Sequence, residues 1–218
     1  MITVCKNIIP FFSVIIPTYN RAAMLRRAIS SLVNQSERDW EAIVIDDGST
    51  DETPQLIRAY AKSNPRIRYL YHSNRGPALS KNAGMLAASG LFLAFLDSDD
   101  EYREDHLAIR KKILQQNPNL DMIHGGLSII GDEFVPDINN TKNLISIKEC
   151  VVGGTFVIRR DRALAIGGYD AVEYGEDHLL FEKARSAGWK VARTQAETYV
   201  YRRDHPDSLC NKIKNKYK

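Results

Sequence analysis

Apolar and polar positions alternate between two periods over the first hundred residues. Phe12–Ile16 is a strand-like run, and from Arg21 the apolar positions Met24, Leu25, Ala28, Ile29 and Leu32 recur at helical spacing, which predicts a strand and then a helix. EAIVID (Glu41–Asp46) reads as the second strand, with GSTDETP supplying turn and cap residues before a helix from about Glu52 to Ser63. Ile67–Tyr71 is a third strand, Pro77–Ala88 a third helix, and Leu91–Leu96 a fourth strand. That fourth strand is apolar at every position, as in a strand buried on both faces. Alternation of this kind predicts an α/β fold around a mostly parallel sheet.

After residue 100 the pattern loosens. Glu104–Gln116 reads as a helix, Leu120–Ile130 as a strand pair or one long strand, and Gly131–Cys150 as mostly loop. A polar connection of that length inside a compact fold points to function rather than to a linker. A strand at Thr155–Arg159, a turn at Gly167 and Gly168, a helix from about Glu176 to Ala187 and strands near Trp189 and Thr198 complete the reading.

The chain has 218 residues, 44% hydrophobic and 26% charged, values that exclude a disordered, collagen-like or coiled-coil protein and make one compact domain the expectation. Thirty basic against 27 acidic residues leave a net charge of +3, too even to imply nucleic acid. Cys5, Cys150 and Cys210 form no CxxC pair, so a reducing, cytoplasmic compartment is expected. Ile8–Ile16 is broken by Pro10 and Ser13 and reads as neither a membrane span nor a signal peptide.

Four short stretches fall at the carboxyl ends of strands or at a helix start, where an open α/β sheet gathers its ligand site. They are Pro17-Thr-Tyr-Asn20, Asp46-Asp-Gly-Ser-Thr-Asp51, Asp97-Ser-Asp-Asp100 and Gly175-Glu-Asp177. Sixteen aspartates in this chain make about one Asp-x-Asp pair expected by chance. Position is what raises Asp97 and Asp99: three carboxylates crowd the end of LFLAFL, and such a cluster repels itself unless a cation sits among them. Hard oxygen ligands suit Mg²⁺ or Mn²⁺; the alternative is an exposed acidic turn capping the next helix. In the second stretch Asp51 reads as a cap and Asp47 as a binding residue, while Asp177 is either a functional carboxylate or a first-turn acid stabilising its own helix.

Taken together, FSVIIPTYNRAAMLRRAISSLVNQ, VIDDGSTDET, SNRGPALSKNAGMLAASGLFLAFLDSDD, the GGYD turn and GEDHLLFEKARSAGW closely resemble family 2 glycosyltransferases. The resemblance runs from about Phe12 to Ser208. It implies a single GT-A domain, a Rossmann-like α/β/α sandwich around a mixed sheet, with a nucleotide-sugar-binding half to about residue 105, an acceptor and catalytic half to about 208 and a basic tail over 209–218. It also implies inverting transfer of one sugar from a nucleoside-diphosphate sugar, UDP by family habit, to a hydroxyl of a saccharide or lipid-linked acceptor in surface polysaccharide or lipopolysaccharide synthesis. Carried over by residue, Pro17, Thr18, Tyr19 and Asn20 would line base and ribose, Asp47 would bind the base, and Asp97 with Ser98 would lie against the ribose. Lys81 stands where the family often has arginine, and would contact the nucleotide. Asp99 would hold the metal, Mn²⁺ or Mg²⁺, with His205 completing its shell, and Asp177 would be the general base. Glu176 either orients an acceptor hydroxyl or fills the first turn.

The QxxRW signature of processive members is missing, which implies one addition per encounter. Rival readings fare worse. No GxGxxG follows the first strand, against a dinucleotide oxidoreductase, and the glycine-rich basic loop of a sugar-nucleotide pyrophosphorylase is lacking. A non-catalytic relic that binds nucleotide sugar as a partner subunit is the remaining alternative. NKIKNKYK, with four lysines and no acid, is expected to be a solvated tail with at most weak contact to an anionic membrane surface.

Overall fold

The structure, a computed structural model, describes residues 9–205 and 208–216. Its first half follows the periodicity closely: β1 (Phe12–Thr18), α1 (Ala22–Val33), β2 (Trp40–Asp46), α2 (Thr53–Ser63), β3 (Ile67–Tyr71), α3 (Pro77–Ala87) and β4 (Phe92–Phe95). Then come β5 (Glu101–Tyr102), α4 (His106–Gln116), β6 (Met122–His124), β7 (Leu127–Gly131), β8 (Phe134–Pro136), β9 (Leu144–Ser146), β10 (Val157–Arg159), α5 (Arg160–Ala165), α6 (Glu176–Ser186), β11 (Val191–Arg193), β12 (Tyr199–Arg203) and α7 (Leu209–Lys216).

Seven strands form the main sheet in the order β11-β6-β10-β4-β1-β2-β3. β3, β2, β1 and β4 run parallel, β10 is antiparallel to both its neighbours, and β11 is parallel to β6. Every residue of β1, β2 and β4 is buried, because helices cover both faces. Successive side chains of a strand point to opposite faces: Val14, Ile16, Ala42 and Val44 meet α1, α2 and α4 in one apolar cluster, while Ile15, Ile43 and Ile45 meet α3, α5 and α6 in the other. A three-layer α/β/α sandwich follows. Gly84 sets how closely α3 lies on the sheet, since a Cβ there would stand 2.6 Å from Ile15 Cγ2 and 2.7 Å from Ile45 Cδ1.

Three stretches depart from the sequence reading. Leu120–Ile130 divides between two sheets: β6 enters the main sheet, and β7 joins a three-stranded sheet ordered β5-β12-β7. The break falls at Gly125 and Gly126, whose φ values of 82° and 72° turn the chain out of one plane. Gly131–Cys150 is not mostly loop, for it holds the antiparallel hairpin of β8 and β9 and a single 3-10 turn at Ile147–Glu149. Two three-residue strands are too short to show a period. The tail over 209–216 is a helix packed on the fold rather than a solvated tail: Ile213 is buried, Lys214 pairs with Asp132 at 2.9 Å and Lys216 with Glu173 at 2.6 Å. Lys218 lies outside the described residues.

Candidate active site

The carboxyl ends of β1, β2 and β4, the start of α3 and the start of α6 open into one cavity of about 820 Å³, a size ordinary for a small-molecule site. The β8–β9 hairpin forms its far wall through Val135, Ile138, Ile145 and Ile147. Of the residues expected on the donor side, Pro17, Thr18, Tyr19, Asp47, Lys81, Asp97, Ser98 and Asp99 all line it, as do Glu176 and Asp177. Asn20 does not. With φ of 50° it sits in the left-handed region, its N–H donates to Ser49 Oγ at 2.8 Å and its Oδ1 accepts the Thr50 N–H at 2.8 Å, so it staples the first loop to the second.

Asp51 stands one residue before the α2 N-cap, Glu52, and ties the starts of two helices: one oxygen accepts the Thr53 N–H at 2.9 Å and the other the Ala22 N–H at 3.2 Å. Asp47 Oδ1 accepts the Arg75 N–H at 2.8 Å, Oδ2 accepts the Gly76 N–H at 2.9 Å, and His72 Nδ1 lies 3.2 Å away. Its carboxylate therefore anchors the loop before α3, with acceptor capacity left on each oxygen.

At the end of β4 each carboxylate meets a different environment. Burial pushes the Asp97 carboxyl up to about 6; Lys81 opposes the rise, and Asp99, Asp177 and Glu176 add to it. Burial also raises Asp99, but the imidazole of His205 and the guanidinium of Arg21 more than reverse this and hold it below its ordinary value. Arg21 Nη1 and His205 Nε2 both reach Asp99 Oδ2, the latter at 3.0 Å. Asp100 is buried inward, where it accepts the Tyr199 hydroxyl at 2.6 Å and the Arg202 N–H at 2.7 Å. Burial and its two acidic neighbours push it well above the carboxylate range. Arg202 pairs with Glu101 at 2.6 Å and Asp204 at 2.9 Å, and Arg203 is buried, donating to Asn211 at 2.7 Å.

Among the described residues no three His, Cys, Asp or Glu side chains converge as a complete metal cage. Asp99 and His205, the expected pair, do converge, although His205 itself does not line the cavity. Both side chains are largely enclosed, and His205 Nδ1 is buried with no hydrogen-bond partner among the described residues. One carboxylate and one imidazole fit a hard-to-borderline divalent ion that draws its remaining ligands from substrate oxygens.

Asp177 lines the same cavity from the first turn of α6, after Gly175 in the left-handed region with φ of 84°. Its Oδ1 lies 3.0 Å from Lys81 Nζ and its Oδ2 accepts the Gly153 N–H at 2.9 Å. Lys81 lines the cavity, but the residue is only 2% exposed and its ammonium pairs with Asp177 at 3.0 Å and Glu176 at 3.3 Å. Desolvation acts to lower the Lys81 pKa, but Asp177, Glu176 and Asp97 together hold it well above the ordinary lysine value. Glu176 is buried by the same pairing. Arg21, Gly153 and Tyr199 were not singled out from sequence. Arg21 follows PTYN directly and could have been found as the cation a crowded DSDD turn requires, whereas Gly153 and Tyr199 reach the site only through the fold.

The family model described as glycosyl transferase family 2 matches residues 13–167. A Campylobacter jejuni GalNAc(5)-diNAcBac-PP-undecaprenol beta-1,3-glucosyltransferase is 46% identical over 94 residues, which is 42% of this chain and 30% of that protein. Glycosyltransferase GlyA of Streptococcus pneumoniae is 26% identical over 211 residues, 87% of this chain and 30% of that protein. Among solved structures, S. aureus TarS 1-349 in complex with UDP-GlcNAc superposes with a TM-score of 0.73 at 21% identity, over 91% of this chain and 60% of that one. Mannosyltransferase PcManGT from Pyrobaculum calidifontis, in complex with GDP-Man and Mn²⁺, superposes with a TM-score of 0.68 at 22% identity, over 88% and 56%. The chain spans less than half the length of the curated relatives it matches.

Proposed function

Because this chain belongs to glycosyl transferase family 2 and has the GT-A fold, we propose that it transfers one sugar, with inversion, from a nucleoside-diphosphate sugar to a hydroxyl of a saccharide acceptor. The observation that carries the reading is that one cavity is lined by both Asp99, which His205 reaches at 3.0 Å, and Asp177 at the start of α6. The donor nucleotide would lie over Pro17, Thr18 and Tyr19 with its base toward Asp47 and its ribose against Asp97 and Ser98. Asp99 and His205 are the residues that would hold a divalent ion, which when bound supplies positive charge to the departing diphosphate.

Asp177 takes the proton of the acceptor hydroxyl as its oxygen bonds to the anomeric carbon, on the face opposite the leaving group. The bond from that carbon to the diphosphate oxygen breaks, its electron pair leaves with the nucleoside diphosphate, and the proton passes from Asp177 to water. The hairpin wall of β8 and β9 lies on the acceptor side. UDP is the first donor to test, since TarS binds UDP-GlcNAc; GDP-mannose, bound by the archaeal neighbour, is the second. The C. jejuni relative's name, which carries an undecaprenol-linked saccharide, supports a lipid-linked saccharide as acceptor. Among the described residues no helix is long and apolar enough to cross a membrane.

The test is release of nucleoside diphosphate from UDP-GlcNAc, UDP-glucose and GDP-mannose with Mn²⁺, with water as the fallback acceptor. Wild type releases one of them, and Asp177→Asn loses about 10²-fold or more, the range for removing a general base, with nucleotide affinity within about threefold of wild type. A variant that turns over at the wild-type rate removes Asp177 from this role. A wild type that binds a nucleotide but never releases one favours the binding-protein alternative.

A further inference from the structure

Asp177 is gripped by both oxygens, from two elements distant in sequence. Lys81 of α3 donates to Oδ1 at 3.0 Å, and the backbone N–H of Gly153, in the 3-10 turn Gly153–Thr155 ahead of β10, donates to Oδ2 at 2.9 Å. Each contact depends on a feature that a merely exposed ion pair would not need. The Lys81 ammonium is buried 4.9 Å from the Tyr169 ring centroid and bonds a second carboxylate, Glu176, at 3.3 Å. Taking an ammonium out of water costs several kcal/mol unless it is well paired, so an apolar side chain would suit this position better if packing were its only task. At Gly153 a Cβ would collide with the Asp177 carboxylate, so only glycine lets a backbone donor come this near. Gly84, one turn beyond Lys81, seats α3 close enough on Ile15 and Ile45 for the lysine to reach across.

We propose that Lys81 and Gly153 are positioning residues for the general base, and that Lys81 is not a ligand of the donor nucleotide. This rests on the reading of Asp177 as that base. A carboxylate has about four acceptor sites. With one site on each oxygen tied to the protein, the rotamer is fixed and the remaining sites stay available to the acceptor hydroxyl from the cavity that Asp177 lines. Misplacing a reacting group by about 1 Å costs on the order of 10²-fold, which is what the two clamps prevent. The first clamp carries charge and the second does not, so the two can be perturbed separately.

The experiment compares Lys81→Met, Lys81→Arg, Gly153→Ala and Asp177→Asn in the full chain, by calorimetric titration with UDP and Mn²⁺ and by kcat and KM for nucleotide release. Expected are a fall in kcat of about 10²-fold for Lys81→Met and at least about tenfold for Gly153→Ala, partial recovery in Lys81→Arg, and UDP affinity within about threefold of wild type throughout. If Lys81→Met leaves two buried acids too poorly paired to fold, Gly153→Ala and Lys81→Arg carry the test alone, because neither removes a charge. A tenfold loss of UDP affinity with kcat intact in a Lys81 variant would make Lys81 a donor ligand and overturn the proposal. Folded Lys81 and Gly153 variants with wild-type kcat, beside an inactive Asp177→Asn, would overturn the positioning role while leaving the base. An active Asp177→Asn would sink the base and this proposal together.

Discussion

Replacing Tyr199 by phenylalanine isolates one buried bond beneath the DSDD turn. Tyr199 is fully buried; its hydroxyl donates to Asp100 Oδ2 at 2.6 Å and accepts the Asp97 N–H at 3.4 Å. Phenylalanine keeps the ring and its edge contact with Tyr102, whose centroid lies 5.8 Å away, so no cavity opens. What is lost is a short hydrogen bond to a buried acid that retains the Arg202 N–H at 2.7 Å, together with the long bond from the Asp97 N–H. Leaving a buried acceptor without its partner costs roughly 1–3 kcal/mol, so about 2 kcal/mol is expected. For a chain of this length that corresponds to a fall in Tm of about 4–8 °C. Tyr102→Phe is the matched control, removing a bond of equal length, 2.6 Å, to the neutral carbonyl of Phe95, worth about 1 kcal/mol. Urea melts of both variants give the comparison. Equal losses, or a larger loss for Tyr102→Phe, would refute the view that the buried Asp100 carboxyl depends on the Tyr199 hydroxyl to anchor the turn.

Gly84→Ala should destabilise by about 1–3 kcal/mol through overpacking against Ile15 and Ile45; a neutral or stabilising effect in a urea melt would mean that α3 can shift without cost. Asp97→Asn should alter the pH dependence of stability. The folded Asp97 carboxyl titrates near 6 against an ordinary 3.8, so the folded chain holds this proton more tightly than the unfolded one and stability falls as pH rises from about 4 to about 6. Asparagine removes that loss: measured with chelator, its stability relative to wild type should be higher at pH 7.5 than at pH 4.5, and an equal difference at both would contradict the assignment.

The parallel half of the fold was legible because β1, β2 and β4 are buried on both faces and their helices carry clear 3.6-residue periods, so both kinds of element announce themselves locally. The hairpin of β8 and β9 was not, since three-residue strands with Phe134 and Leu144 exposed show no alternation. Helix α7 was hidden by composition, its lysines outweighing Ile213, which is buried. In the site, residues at strand ends were found because topology fixes where strand ends go. Their partners were harder. The Lys81–Asp177 contact spans 96 residues and Tyr199–Asp100 spans 99, and no local pattern encodes such a separation. The resemblance named Lys81 by its place in a motif; its buried position between two acids depends on how α3 and α6 pack.

The account stands on a donor site built around Asp99 and His205, and calorimetric titration of UDP with and without Mn²⁺, on wild type and Asp99→Ala, tests it most directly. The predicted result is binding to wild type that tightens at least about tenfold with Mn²⁺, a gain of about 1.4 kcal/mol, and that in Asp99→Ala no longer responds to the metal. UDP affinity that is identical with and without Mn²⁺ in wild type, or a metal effect that survives Asp99→Ala, would contradict it.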